Sequence, residues 1–162
     1  MSALPAPQQQ ERIPLEAIIF VGLQASGKST FYKNNYFNTH LRISNDLLKT
    51  RYREKKLLEM CRETGMPFVV DNTNPSRKVR AKYTDFLKGS KFRVICVYFR
   101  IDLERSLAWN RGRSGAALVP DVGIFDTHKR IELPTMAEGF DELHYVDIID
   151  SEFIVKAWQH EI

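Results

Sequence analysis

Short apolar runs recur along the chain, separated by longer stretches whose apolar residues fall at helical spacing. Residues 17–21, 67–71, 92–99 and 143–149 are such runs, and Leu41-Arg42-Ile43 is a shorter one. Runs of apolar residues without regular alternation mark strands covered on both faces. Between them the pattern predicts helices over residues 28–37, from the caps Ser44 and Asn45 to about residue 63, from Pro75 at a first helical position to about residue 87, over 102–110 and over 120–133. Gly65 and Pro134 are stop signals, and Asn72-Thr73-Asn74-Pro75 reads as a turn. Residues 111–119, RGRSGAALV, combine Gly and Arg without apolar periodicity and suit a lid. Strands alternating with helices predict an α/β fold with a parallel sheet of about five strands and helices on both faces.

The first strand runs into a glycine loop and then into a helix. Gly22, Gly27, Lys28 and Ser29 fill the fixed positions of G-x-x-x-x-G-K-[ST], which makes the expected fold that of a P-loop NTPase or kinase. The two glycines permit backbone angles that turn successive N–H groups inward as an anion nest, and the following helix adds its positive end. Gly22, Ala25, Ser26, Gly27, Lys28, Ser29 and Thr30 are the expected nucleotide-binding set, Thr30 only through the first helical turn. Lys28 can reach the β- and γ-phosphates, and the Ser29 hydroxyl suits the Mg²⁺ that bridges them. ATP and Mg²⁺ are therefore the expected cofactors.

Composition narrows this picture. The 162 residues, 43% of them hydrophobic, suffice for one ordinary domain, expected over 14–162 behind a Gln- and Pro-containing tail over 1–13. No membrane span or signal peptide is expected and no membrane partner, so a cytoplasmic location is the expectation. Two cysteines make neither a disulfide framework nor a zinc site, and Cys96 lies inside an apolar run. His40, His128, His144 and His160 have no metal-ligand spacing. A net charge of +4 permits a polyanionic partner without requiring one.

In an open parallel sheet, ligands bind beyond the carboxyl ends of the strands, so Lys28, Asp46, Asp71 and the 111–119 loop are expected on one side. Phosphoryl transfer needs a triphosphate cradle, a metal, a carboxylate to take the acceptor's proton and arginines for developing charge. Asp46, just past the second strand, is the candidate base; its alternative role is to complement a helix dipole. Asp71, closing the 67–71 strand, is a candidate Mg²⁺ ligand with Ser29, or a turn-forming Asp. Arg111 or Arg113 could close over the phosphates.

Five blocks resemble the polynucleotide 5′-hydroxyl kinases, in particular the kinase domain of polynucleotide kinase/phosphatases. They are residues 22–31, Ser44-Asn45-Asp46, Val70-Asp71-Asn72-Thr73-Asn74-Pro75, Asn110-Arg111-Gly112-Arg113, and 132–140 with Pro134-Thr135 and Glu138-Gly139-Phe140. The first is generic to P-loop proteins; the Asp-Asn-Thr-Asn-Pro block and the last block are more particular. The resemblance implies Asp46 as general base on a 5′-hydroxyl, Lys28 and Ser29 on phosphate and Mg²⁺, Arg111 or Arg113 as lid arginine, and Asp71 and Asn72 on the acceptor or metal side. The expected acceptor is then a 5′-OH end of DNA or RNA. Members of the phage type carry Arg at the position of Lys49, the expected contact to the acceptor's own phosphate, and Lys cannot grip phosphate bidentately. Kinase action on a small hydroxylated molecule and a slow nucleotide-binding regulatory module thus stay open. No phosphatase or ligase motif accompanies the kinase blocks, so a kinase module alone is expected.

Overall fold

The computed structural model describes residues 12–158. The expected tail falls almost entirely outside the described residues, as does His160. In chain order the elements are β1 (Glu16–Val21), α1 (Lys28–Asn35), β2 (Leu41–Ile43), α2 (Asn45–Leu48), α3 (Arg51–Thr64), β3 (Phe68–Val70), α4 (Arg77–Leu87), β4 (Arg93–Phe99), α5 (Leu103–Arg111), α6 (Asp121–Arg130), β5 (Glu142–Ile149) and β6 (Glu152–Ala157). They form one six-stranded sheet in the order β2-β3-β1-β4-β5-β6. The first five are parallel and β6 pairs antiparallel with β5.

The central strand explains why its sequence is apolar without alternation. Ala17, Ile19 and Val21 join a core with Leu58 and Cys61 of α3 and Tyr83 and Leu87 of α4. Ile18 and Phe20 point the other way, onto Phe31 and Tyr32 of α1. On that second face Phe31 meets Phe99 at 5.4 Å and Phe153 at 5.1 Å between ring centroids, both edge-on. Such contacts contribute about 0.5–1.5 kcal/mol each beyond burial, and they fix α1 against the sheet.

Several boundaries differ from the expectation. The helix expected from Ser44 to residue 63 is two, because Lys49 is left-handed (φ 67°) and Thr50 restarts the chain by accepting from the Arg53 N–H. Ser44 makes no capping bond with its side chain; the Asn45 N–H donates instead to Asn72 Oδ1 at 2.8 Å. Pro75 precedes the next helix rather than opening it, since Ser76 is the cap and accepts from Val79 at 3.2 Å. The helix expected to reach 133 closes at Arg130. Its chain is drawn across to α4, where Glu132 donates its N–H to the Pro75 carbonyl at 2.8 Å and accepts from the Arg77 N–H at 2.6 Å. The sheet has six strands rather than about five: Asp150 and Ser151, both with positive φ, turn β5 back into β6. Gly65 does end α3, in the left-handed conformation that glycine favours.

Candidate active site

The glycine loop between β1 and α1 is shaped by two glycines for different reasons. A Cβ on Gly22 would meet the Phe99 Cβ at 3.0 Å, so the turn requires the bare backbone. Gly27 sits at φ +89° and its missing Cβ leaves room for Phe153 and Ile148 of the β5–β6 hairpin. Ala25 is also left-handed, at φ 52°. The Gly22 N–H donates to the Thr73 carbonyl at 3.1 Å, tying the loop to the turn after β3. Asn74 reinforces the tie by donating from Nδ2 to the Phe20 carbonyl at 2.7 Å.

The start of α1 differs from those of α3, α4 and α5, and from that of α6, which lacks a side-chain cap but carries Asp121 in its first turn. Thr50, Ser76 and Asp102 each cap a helix with a side-chain oxygen, whereas α1 begins at Gly27 with no side-chain cap and no acid in its first turn. Its first N–H donors and positive dipole end are left for an anion.

Lys28 is buried in this cradle. Its ammonium donates to the Gly22 carbonyl at 3.2 Å, to Ser26 Oγ at 3.3 Å and to the Leu23 carbonyl. Burial lowers its pKa from 10.5 to about 8; Asp71 and Asp46 oppose the shift and Arg113 adds to it. Withdrawal from water disfavours the charged form, and anionic phosphates would restore it.

Ser29, on the first turn of α1, donates from Oγ to Asp71 Oδ2 at 2.9 Å. A hydroxyl and a carboxylate so joined are hard oxygen ligands of the kind Mg²⁺ takes, commonly with waters between. Arg42, which the sequence pattern marks only as a strand residue, completes this cluster: Nε donates to Asp71 Oδ2 at 2.8 Å and Nη2 to Ser29 Oγ at 3.1 Å. A cation in a three-residue strand otherwise made of Leu41 and Ile43 was the available signal.

A cleft of about 600 Å³ opens over these groups. It is lined by Lys28, Ser29, Asp71 and Arg42, by Asn45, Asp46 and Lys49 from α2 and its end, and by Arg113, Ala116 and Val119 from the 111–119 loop. Ala25, Ser26 and Asn72 also line it. Asp46 is exposed in the first turn of α2. Two buried side-chain atoms of cleft residues, Gln24 Oε1 and Asn72 Nδ2, have no hydrogen-bond partner among the described residues. Arg113 reaches the cleft; Arg111 is exposed at the end of α5 and is not among the lining residues, nor is the exposed Thr30. The loop bearing Arg113 is held at its base by buried Asn110, which donates to the Val119 carbonyl at 2.7 Å and accepts from its N–H at 3.1 Å. Beyond that clamp residues 111–118 are exposed.

The 132–140 block is the brace behind the site. Thr135 and Glu138 form a capping box, and Glu138 grips fully buried Arg80 at 2.7 and 3.1 Å. The remaining Arg80 nitrogen donates to the Asn74 and Pro75 carbonyls at 3.1 and 3.0 Å. This chain of bonds runs from Glu138 through the 72–75 turn to the glycine loop. Elsewhere, His40 bonds Glu16 at 3.0 Å and His144 bonds Glu142 at 2.9 Å. Among the described residues no three His, Cys, Asp or Glu side chains are grouped to hold a metal, and no helix is long and apolar enough to cross a membrane. Cys61 and Cys96 are free and buried, and burial pushes the Cys61 thiol up to about 11.

A glycine loop from a central parallel strand into an uncapped helix, with a serine–aspartate pair and an arginine-bearing lid across the cleft, defines a P-loop kinase fold. The chain belongs to the family described as AAA domain, whose pattern it matches over residues 18–134. It is similar to the bifunctional polynucleotide phosphatase/kinase of Schizosaccharomyces pombe, at 25% identity over 135 residues that cover 81% of this chain and 33% of that protein. The chain thus spans about a third of the length of the curated relatives it matches. Among solved structures it resembles Chaetomium thermophilum Kti12 in complex with ADP-AlF3, with TM-score 0.65 and 15% identity covering 81% of this chain and 88% of that one. A gluconokinase from Sinorhizobium meliloti aligns with TM-score 0.59 and 19% identity, covering 84% and 83% of the two chains. The fold implies use of a nucleotide.

Proposed function

We propose that this chain is an ATP- and Mg²⁺-dependent kinase that moves the γ-phosphate to the 5′-hydroxyl end of a nucleic acid. The observation that carries the reading is the juxtaposition, around one cleft, of Lys28, the Ser29–Asp71 pair, the exposed carboxylate of Asp46 and the lid residue Arg113. The likeness to a polynucleotide phosphatase/kinase supports the acceptor class.

In this mechanism the N–H groups at the start of α1 hold the phosphates, and the Lys28 ammonium exchanges its carbonyl partners for β- and γ-phosphate oxygens. Ser29 and Asp71 would hold the Mg²⁺, which when bound neutralises charge on the transferring group. The acceptor oxygen forms a bond to the γ-phosphorus as the bond from that phosphorus to the β-bridging oxygen breaks, and ADP leaves. Asp46 takes the acceptor's proton. Arg113 adds positive charge to the equatorial oxygens, and Lys49 with Asn45 and Asn72 positions the acceptor. The acceptor's proton becomes more acidic as its oxygen bonds to phosphorus, so the Asp46 carboxylate holds it more strongly in the transition state than in the ground state, which is where catalysis is gained.

A transfer assay with γ-labelled ATP against 5′-OH oligonucleotides of DNA and RNA, nucleosides and small alcohols tests the reading. Oligonucleotide ends are expected to be labelled, with acceptor affinity falling steeply as salt rises through counterion release. A small hydroxylated acceptor is the second reading, favoured by Lys49, whose point charge gives no bidentate phosphate grip. Labelling of small alcohols with salt-independent acceptor binding would establish it in place of the first.

A further inference from the structure

The position of Arg42 has a chemical implication of its own. Ser29 has one hydroxyl proton, and it is directed to Asp71 Oδ2. One of the two lone pairs on Ser29 Oγ accepts from Arg42 Nη2 at 3.1 Å, while Arg42 Nε donates to Asp71 Oδ2 at 2.8 Å. The guanidinium therefore engages both groups to which the proposed mechanism assigns the metal. Asp71 is 2% exposed at its side chain and Arg42 is 33% exposed, so the carboxylate is fixed while its partner borders the open cleft. The guanidinium carbon also lies 6.0 Å from the centroid of the Tyr32 ring, and that ring is anchored by its hydroxyl on the His40 carbonyl.

We propose that Arg42 is a displaceable counter-ion that closes the metal site until a metal-bearing nucleotide arrives. A buried carboxylate needs a cation, and in the nucleotide-free protein Arg42 supplies it together with the charge of Lys28. A divalent ion alone must drive out a guanidinium held by two hydrogen bonds and gains few ligands in return. A divalent ion carried on phosphates brings oxygen ligands of its own, and those same phosphates offer the released guanidinium new acceptors. Metal entry is thereby coupled to nucleotide binding, and the two ions exchange rather than coexist, since like charges against one carboxylate repel. The inference rests on the Mg²⁺–nucleotide part of the reading above and is independent of which acceptor is used.

Mn²⁺ without nucleotide is the direct probe, followed by electron paramagnetic resonance on the whole chain. Wild type is expected to bind it weakly, and Arg42→Gln to bind it roughly tenfold more tightly or better, within the usual range of coupling between two sites. Asp71→Asn added to Arg42→Gln should abolish the gain. A folded Arg42→Gln protein with wild-type Mn²⁺ affinity overturns the inference, as does wild type that binds free Mn²⁺ as tightly as the variant. If the variant fails to fold, the arginine side-chain Nε–H resonance of wild type decides the matter. It should shift and lose protection from exchange on saturation with Mg²⁺·ADP but not with Mg²⁺ alone; an unchanged resonance in the complex refutes displacement. Failure of wild type to bind Mg²⁺·ADP at all would instead refute the kinase reading, so the two outcomes are separate.

Discussion

Removing Glu138 should show how far the site depends on a brace that touches no substrate. Arg80 is fully buried, and Glu138 accepts two of its hydrogen bonds and also the Thr135 N–H at 2.8 Å. Glu138→Ala leaves a buried guanidinium without its counter-charge. Deleting one partner of a buried pair costs about 3–5 kcal/mol. The side chain of Glu138 is 10% exposed, and water entering at that edge argues for the lower end. For a chain of this length each kcal/mol lowers Tm by about 2–4 °C, so a fall of about 6–12 °C is expected. Glu138→Gln keeps one acceptor and should lose less, and the double variant Arg80→Met with Glu138→Leu should recover only part of the loss: it leaves no buried charge, but the Asn74 and Pro75 carbonyls and the Thr135 N–H lose their partners. Melting followed by circular dichroism checks all three. A Glu138→Ala protein that melts within about 1 °C of wild type would refute the account, since even one broken surface cap costs more than that.

Lys28 makes the pH dependence specific: with its ammonium lowered to about 8 in the free protein and recharged by phosphate, ATP affinity should fall as pH rises beyond 8, by up to about tenfold per unit, as titration calorimetry can measure. In the unfolded chain the same group titrates at 10.5, so between about 8 and 10.5 the unfolded state holds more protons and the contribution of Lys28 to stability rises with pH in the nucleotide-free protein. Arg113→Ala should lower kcat by roughly 10³-fold, the order seen for arginine fingers, while Arg111→Ala stays near wild type; the opposite ranking in steady-state assays would assign the lid role to Arg111. Asp46→Asn should keep nucleotide affinity and lower turnover by about 10²-fold or more, and wild-type turnover in that variant would remove Asp46 from the mechanism.

The elements most legible from sequence were those governed by local pattern. β1, β3 and β4 are buried on both faces and read as apolar runs, and the glycine loop carries its own spacing rule. The break between α2 and α3 was hidden because Lys49 and Thr50 sit on exposed positions of an otherwise helical pattern; Thr50 ahead of Arg53 and Glu54 was a cap signal overridden by that periodicity. β6 was missed because its apolar run, Phe153-Ile154-Val155, is short and flanked by charged residues, as befits an edge strand with mostly exposed residues. Arg42 escaped assignment because its partners, Ser29 and Asp71, are brought together only by the strand order β2-β3-β1. The choice between Arg111 and Arg113 depended on where a helix ends and a loop turns, which spacing alone does not fix.

The packing of Phe153 against Gly27 makes the shape of the glycine loop depend on the β5–β6 hairpin. The glycine loop comes early in the sequence, yet a Cβ on Gly27 would meet the Phe153 ring of β6 at 3.1 Å, and Phe31 of α1 meets the same ring. Contacts between segments so distant in sequence form late, after loop closure has been offset by the rest of the sheet. Truncation ahead of β6 would take the Phe153 ring away from the Gly27 backbone while leaving every residue of the glycine loop in place.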